Sequence, residues 1–174
     1  MSGFLKSIGV DLAPGAGESD DTLLDELAAE YCALFVQPGS AQPYESVYLE
    51  GRHLAPAADK VEITYQKSGF EYRKSYPNIF PDHAGIELAF IASLLDARIK
   101  NIKEGVLTDE DGYEMERMSF ISAHPAKWMR DYFLKVSAQA KLKFYSAILD
   151  FAAGFIESEV EEAAANATRC ETKQ

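Results

Sequence analysis

The sequence predicts an all-α chain, a single-domain helical bundle, on three observations. Apolar residues return every three or four positions through most of the chain. No stretch alternates apolar and polar residues as a half-buried strand would, and Gly or Pro closes nearly every periodic run. At 174 residues, 47% of them hydrophobic, the chain can bury one core. One domain over 1–174 is expected, with 1–21 as a short N-terminal segment and flexible connection and 166–174 as a frayed tail.

Taken in order, a short apolar opening (Phe4, Leu5, Ile8) precedes a Gly-, Pro-, Ser- and Asp-rich connection over 11–21. Leu23, Leu27, Tyr31, Leu34 and Phe35 predict a helix over 22–36 that Pro38-Gly39 stops. A short helix over 45–49 should end at Gly51, and an amphipathic one over 57–68, with Val61, Tyr65 and Ile63 as its apolar side, at Gly69. The aromatic stretch 70–80 has no period and reads as a loop. Over 82–103 two adjacent stripes, Leu88-Ile91-Leu95-Ile99-Ile102 and Ile86-Phe90-Leu94, predict a broad-faced central helix ending at Gly105. Helix resumes over 113–122, before Pro125. A last pattern runs from Trp128 to Phe155, but one straight helix over 126–164 would be ~58 Å long, too long for a domain of this size. A break is therefore expected over 137–141.

The net charge of -11 argues against a nucleic-acid partner, which would demand clustered Lys and Arg. A basic or apolar peptide suits that field better, although such a surface also serves solubility alone. Cys32 and Cys170 fit neither a disulfide framework nor a zinc ribbon, so a reducing cytoplasm is the expected setting. No stretch reaches the ~18 apolar residues of a membrane span, and neither export nor anchoring is expected. Asn166-Ala167-Thr168 matches a glycosylation acceptor by chance in that setting.

Three clusters stand out. Glu30-Tyr31-Cys32-Ala33-Leu34-Phe35-Val36-Gln37-Pro38-Gly39, with Pro43-Tyr44-Glu45-Ser46-Val47-Tyr48 after it, reads as a helix end and a tight corner. Pro81-Asp82-His83-Ala84-Gly85-Ile86-Glu87-Leu88 reads as a helix start, with Asp82 as its cap and His83 and Glu87 one turn apart on one face. His124-Pro125-Ala126-Lys127-Trp128 sets a histidine at a helix start and an indole one turn on. Read from spacing alone, Asp82 is an ordinary cap, the two histidines are ordinary core-edge residues, and Trp128, Tyr72 and Tyr76 are packing residues.

In this order, over roughly residues 23–155, the clusters resemble the TorD/DmsD/NarJ family of cytoplasmic chaperones for molybdenum-containing oxidoreductases of anaerobic respiration. The resemblance implies a TorD-like helical fold and no enzymatic activity. It implies a protein that binds the twin-arginine leader of a molybdoenzyme catalytic subunit, or its apo form, during cofactor insertion, and so delays export. Leader recognition then falls on Pro81, Asp82, His83 and His124. The residue chemistry adds Asp82 and Glu87 for the leader's arginines, and Tyr72, Tyr76 and Trp128 for its apolar stretch. No cofactor or metal site is expected. Many relatives carry a further helix ahead of the first one readable here, and a homodimer formed by helix exchange is one way to cover the core.

Two other classes compete. Glu50-Gly51-Arg52-His53 is a formal Glu-x-x-His, but a di-iron bundle needs two such motifs and two further glutamates, and Gly51 interrupts this one. Neither a phosphate loop nor a Gly-x-Ser-x-Gly is present, so a helical metalloenzyme fits poorly. A helical adaptor that binds a folded protein surface without a leader fits the same acidity and grooves.

Overall fold

Helices make up the fold, and no strand occurs among the described residues. The structure, a computed structural model, describes residues 2–10, 20–72, 79–106 and 112–171, and the side chains at those positions except 2, 20 and 166–171. Most of the connection expected over 11–21 and the middle of the aromatic loop lie outside the described residues. The elements are α1 (Ser2–Ser7), α2 (Asp20–Tyr31) continued by a π-helical turn (Cys32–Val36), α3 (Glu45–Glu50), α4 (Pro56–Ser68), α5 (Ala84–Glu104), α6 (Gly112–Ala123), a 3-10 turn (Pro125–Lys127), α7 (Met129–Ser137) and α8 (Lys143–Glu171). Helices α3, α4 and α5 end at Gly51, Gly69 and Gly105, where the sequence stops them. Helix α8 runs to Glu171.

Backbone contacts gather these helices into two units, Met1–Gln42 with Arg130–Phe155, and Pro43–Met129 with Ile156–Gln174. In the first, Leu34, Phe133, Val136, Leu149 and Ala153 are buried, and the Phe4 ring meets Phe151 edge-on at 5.0 Å. Tyr145 donates to the Leu27 carbonyl (2.7 Å) and Tyr132 to that of Ala41 (2.7 Å). Helices end where backbone amides run out of carbonyl partners, and the break between α7 and α8 supplies an acceptor from elsewhere. The carboxylate of Glu30 on α2 accepts from the amides of Lys141 and Leu142, the latter at 2.8 Å. Tyr31, expected on the inward face of α2, is 47% exposed; the inward positions are Glu30 and Leu34.

In the second unit the ring of Phe90 on α5 meets Phe120 on α6 edge-on at 4.7 Å and Tyr65 on α4 at 5.0 Å. The stripe Ile86-Phe90-Leu94 is buried, together with Ile91, and each such side chain adds about 1.5–3 kcal/mol of burial. The second stripe departs from expectation. Leu88 and Leu95 are half-buried and Ile99 and Ile102 exposed, so α5 is central only over its first three turns. Ile63, expected on the apolar side of α4, is also exposed, because Val61 and Tyr65 already fill the inward positions. Arg117 on α6 is buried among Glu114 (2.6 Å), Glu162 (3.1 Å) and Glu159 and joins α6 to the later turns of α8.

Candidate functional site

Ser46 at the start of α3 and Asp82 just ahead of α5 are thirty-six residues apart, yet they lie side by side. Glu45 donates its amide to the Asp82 carbonyl (3.0 Å), Ala84 donates to the Pro43 carbonyl (2.8 Å), and Tyr44 and His83 form an isolated antiparallel bridge. Two of the three sequence clusters thus become one corner. Asp82, expected to cap its own helix, caps the other: its Oδ2 accepts the Ser46 amide of α3 at 2.8 Å. Helix α5 begins two residues after Asp82 and is capped by His83, whose Nδ1 accepts from the Gly85 amide at 3.0 Å. A side chain at Gly85 would crowd that ring, since a Cβ there would lie 3.2 Å from His83 Nδ1.

Behind the corner lies a buried acid cluster. Asp82 and Glu87 have no exposed surface and Glu45 has 2%. His124, 5% exposed, joins Glu45 through Nδ1 at 2.9 Å, which adds the third sequence cluster to the corner. Glu87 sits well above the usual carboxylate range, first because burial disfavours its charge and then because Glu45 and Asp82 repel it; the Trp128 indole acts in the opposite direction. The Tyr65 hydroxyl donates to the Pro81 carbonyl (3.2 Å) and is pushed up by burial and then by Glu87, Tyr72, Asp82 and Glu45.

In front of the cluster, Tyr44, His53, Phe80 and His83 are half-buried and in ring contact. Tyr44 meets His53 at 4.7 Å and His83 at 5.0 Å, both edge-on, and His53 lies 5.2 Å from Phe80. Burial lowers the His83 pKa against an upward pull from Asp82, in keeping with an Nδ1 that accepts a hydrogen bond. Glu50 and His53 do not act as a pair here: Glu50 accepts the Ala57 amide at the start of α4 (3.1 Å), while His53 packs on rings. The loop between them and α4 holds Leu54 at φ +53°, a left-handed conformation that costs a branched side chain energy.

The residues singled out from sequence therefore divide by depth. Pro81, His83 and Tyr72 reach the surface in part, whereas Asp82, Glu87, His124 and Trp128 (1% exposed) are buried. Tyr76 lies outside the described residues. Glu45 was missed, because an acidic residue in the first turn of a helix reads as ordinary macrodipole compensation. Phe80 belongs to the aromatic loop 70–80 that the sequence offers as a groove wall, whereas Tyr44 carries no signal short of the fold that sets it beside two histidines.

Fold and site together define a helical protein, without strands among the described residues, that presents aromatic rings and imidazoles in front of buried acidic side chains. The chain belongs to the nitrate reductase delta subunit family, whose model matches residues 4–133. It is 28% identical over 169 residues to a "Chaperone protein TorD" of Shewanella pealeana, covering 91% of this chain and 70% of that one. To a protein of the same name from Shewanella piezotolerans it is 25% identical, covering 91% and 72%. No solved structure matches. The resemblance read from the three clusters is borne out, and the relatives' names denote a non-enzymatic role, in agreement with the expectation for this chain. Among the described residues no helix is long and apolar enough to cross a membrane.

Proposed function

We propose that this protein is a cytoplasmic maturation chaperone that binds the twin-arginine leader, the apo form, or both, of a molybdenum-containing oxidoreductase subunit. It aids cofactor insertion and delays export until maturation is complete. The observation that carries this reading is the family match over residues 4–133, together with relatives named as chaperones. The geometry adds a physical rationale. A leader offers an arginine pair followed by an apolar stretch, and the corner offers half-exposed rings with negative charge behind them. In this reading Pro81, His83 and Tyr72 meet the leader, Asp82, Glu87, His124 and Trp128 hold that surface in place, and Tyr76 belongs to the same aromatic loop.

Calorimetric titration with the leader of a candidate client tests it. Binding should weaken as salt rises and still persist, since charge pairs are screened over ~8–10 Å at physiological ionic strength while apolar contacts are not. Binding to the mature client without its leader, and to no leader peptide, would replace this reading by that of an adaptor for a folded surface.

A further inference from the structure

The buried carboxylates of the corner are poorly placed to meet a ligand. Asp82 and Glu87 have no exposed surface, and Oδ2 of Asp82 is committed to the Ser46 amide. A second feature of the same unit has the geometry they lack. The last turns of α4 and the segment that follows enclose a cleft of about 460 Å³. Gly69, in the left-handed conformation (φ +66°), turns the chain back across the helix end, and the Phe70 amide closes on the Tyr65 carbonyl at 2.9 Å. This reversal brings Phe70, Glu71 and Tyr72 opposite Glu62, Tyr65 and Gln66.

The lining holds two carboxylates, a carboxamide and three aromatic rings, and no basic side chain among the described residues. The Phe70 and Tyr72 rings are nearly parallel (26°, centroids 6.4 Å apart), and Tyr65 stands edge-on to both, at 5.1 and 6.0 Å. Glu62 is held in position by the Tyr72 hydroxyl and by Gln66 Nε2 at 3.4 Å. Neither Glu62 nor Glu71 is buried, so both are open to a partner. The buried acids still reach this place electrostatically: Asp82 acts on the hydroxyls of both Tyr65 and Tyr72, and Glu45 and Glu87 on that of Tyr65. The carboxylates of Glu62 and Glu71 in the lining, with those of Asp82 and Glu45 nearby, thus bias one concave, ring-lined site toward a cation.

We infer that this cleft is an arginine subsite, in which Glu62 and Glu71 pair with the guanidinium of a basic peptide while the Phe70 and Tyr72 rings offer it a face to stack on. A guanidinium suits the site better than an ammonium, because its planar fork engages carboxylates in two-point contacts and its faces stack on rings. The inference deepens the leader reading and rests on it for the identity of the peptide. It moves the charged half of recognition from Asp82 and Glu87 to two residues at the surface.

The test compares the parent with the double variant Glu62→Gln/Glu71→Gln, against a leader peptide carrying its Arg-Arg pair and the same peptide with Gln-Gln. The parent should bind the Arg-Arg peptide at least tenfold more tightly. The double variant should lose most of that preference, about 1.4 kcal/mol, and bind the Gln-Gln peptide as the parent does. Both substitutions keep an oxygen acceptor at non-buried positions, so the thermal unfolding midpoint should stay close to the parent's. A double variant that retains the full preference overturns the subsite and leaves the leader reading intact. Should the parent bind no leader, the leader reading falls and N-acetylarginine amide decides the subsite. Shifts of the Phe70 and Tyr72 ring resonances that disappear in the double variant support it, and their absence in the parent overturns it.

Discussion

Replacing Asp82 separates a structural role from a recognition role, and the structure sets the size of each effect. The Asp82 side chain is fully buried and its Oδ2 accepts from the amide of Ser46, itself fully buried, in the first turn of a six-residue helix. Asp82→Ala leaves that N–H with no acceptor and no access to water. An abandoned buried donor costs about 1–3 kcal/mol, and a bond to an ionised acceptor lies in the upper part of that range. A net loss of about 1.5–3 kcal/mol corresponds to a fall of roughly 3–12 °C in the unfolding midpoint for a chain of this length. Asp82→Asn keeps an oxygen for the amide and should cost under ~1 kcal/mol. Because neither variant alters a ligand-facing charge, Asp82→Asn should also bind a leader within about threefold of the parent. Thermal and urea unfolding, followed by circular dichroism, and leader titration on the same preparations provide the measurements. A tenfold loss of leader affinity in a stably folded Asp82→Asn would refute the reasoning, as would an Asp82→Ala that unfolds with the parent.

Three further expectations follow from other buried groups. Glu87 in the unfolded chain titrates near its ordinary value of about 4.3, whereas in the fold burial, Glu45 and Asp82 hold its proton to higher pH. The folded state then carries a proton that the unfolded state has lost, so this group's contribution is complete below pH ~4 and is lost as pH rises through the folded value. Glu87→Gln should gain stability over the parent as pH rises from about 4 to neutrality, and a gap that shrinks over that range would show the carboxyl to be charged in the fold. Arg117→Met removes a 3%-exposed guanidinium and strands Glu159, itself only 11% exposed, at a cost of about 3–5 kcal/mol. Urea denaturation checks this, and recovery of part of the loss by adding Glu159→Gln would tie it to the ion pair. Glu30→Ala frees the amides of Lys141 and Leu142 at the start of α8 and should cost about 1–3 kcal/mol, with faster hydrogen exchange at those two amides as the local signature.

Helices and their ends were legible in the sequence because their causes are local. Glycine or proline closes them, and apolar spacing marks the buried face of α4 at Val61 and Tyr65 and of α5 at Ile86, Phe90 and Leu94. The break between α7 and α8 was legible from length alone, since a single rod would outrun the domain. The three clusters were legible as family marks, and the family match agrees. What each residue does depended on contacts that spacing cannot supply. Asp82 reads as the cap of its own helix and serves α3 across thirty-six residues, because the Tyr44 and His83 backbones pair and bring the two helix starts together. Glu30 reads as an ordinary helical glutamate and caps α8 from more than a hundred residues away. Glu45, Asp82, Glu87 and His124 come from three separate motifs and form one buried cluster only in the fold. Periodicity reports which side of a helix faces inward, and so it determined the class and the elements. The partner of a buried polar group is set by whichever unsatisfied amide, imidazole or carboxylate the packing brings within reach, and that was decided by the tertiary structure alone.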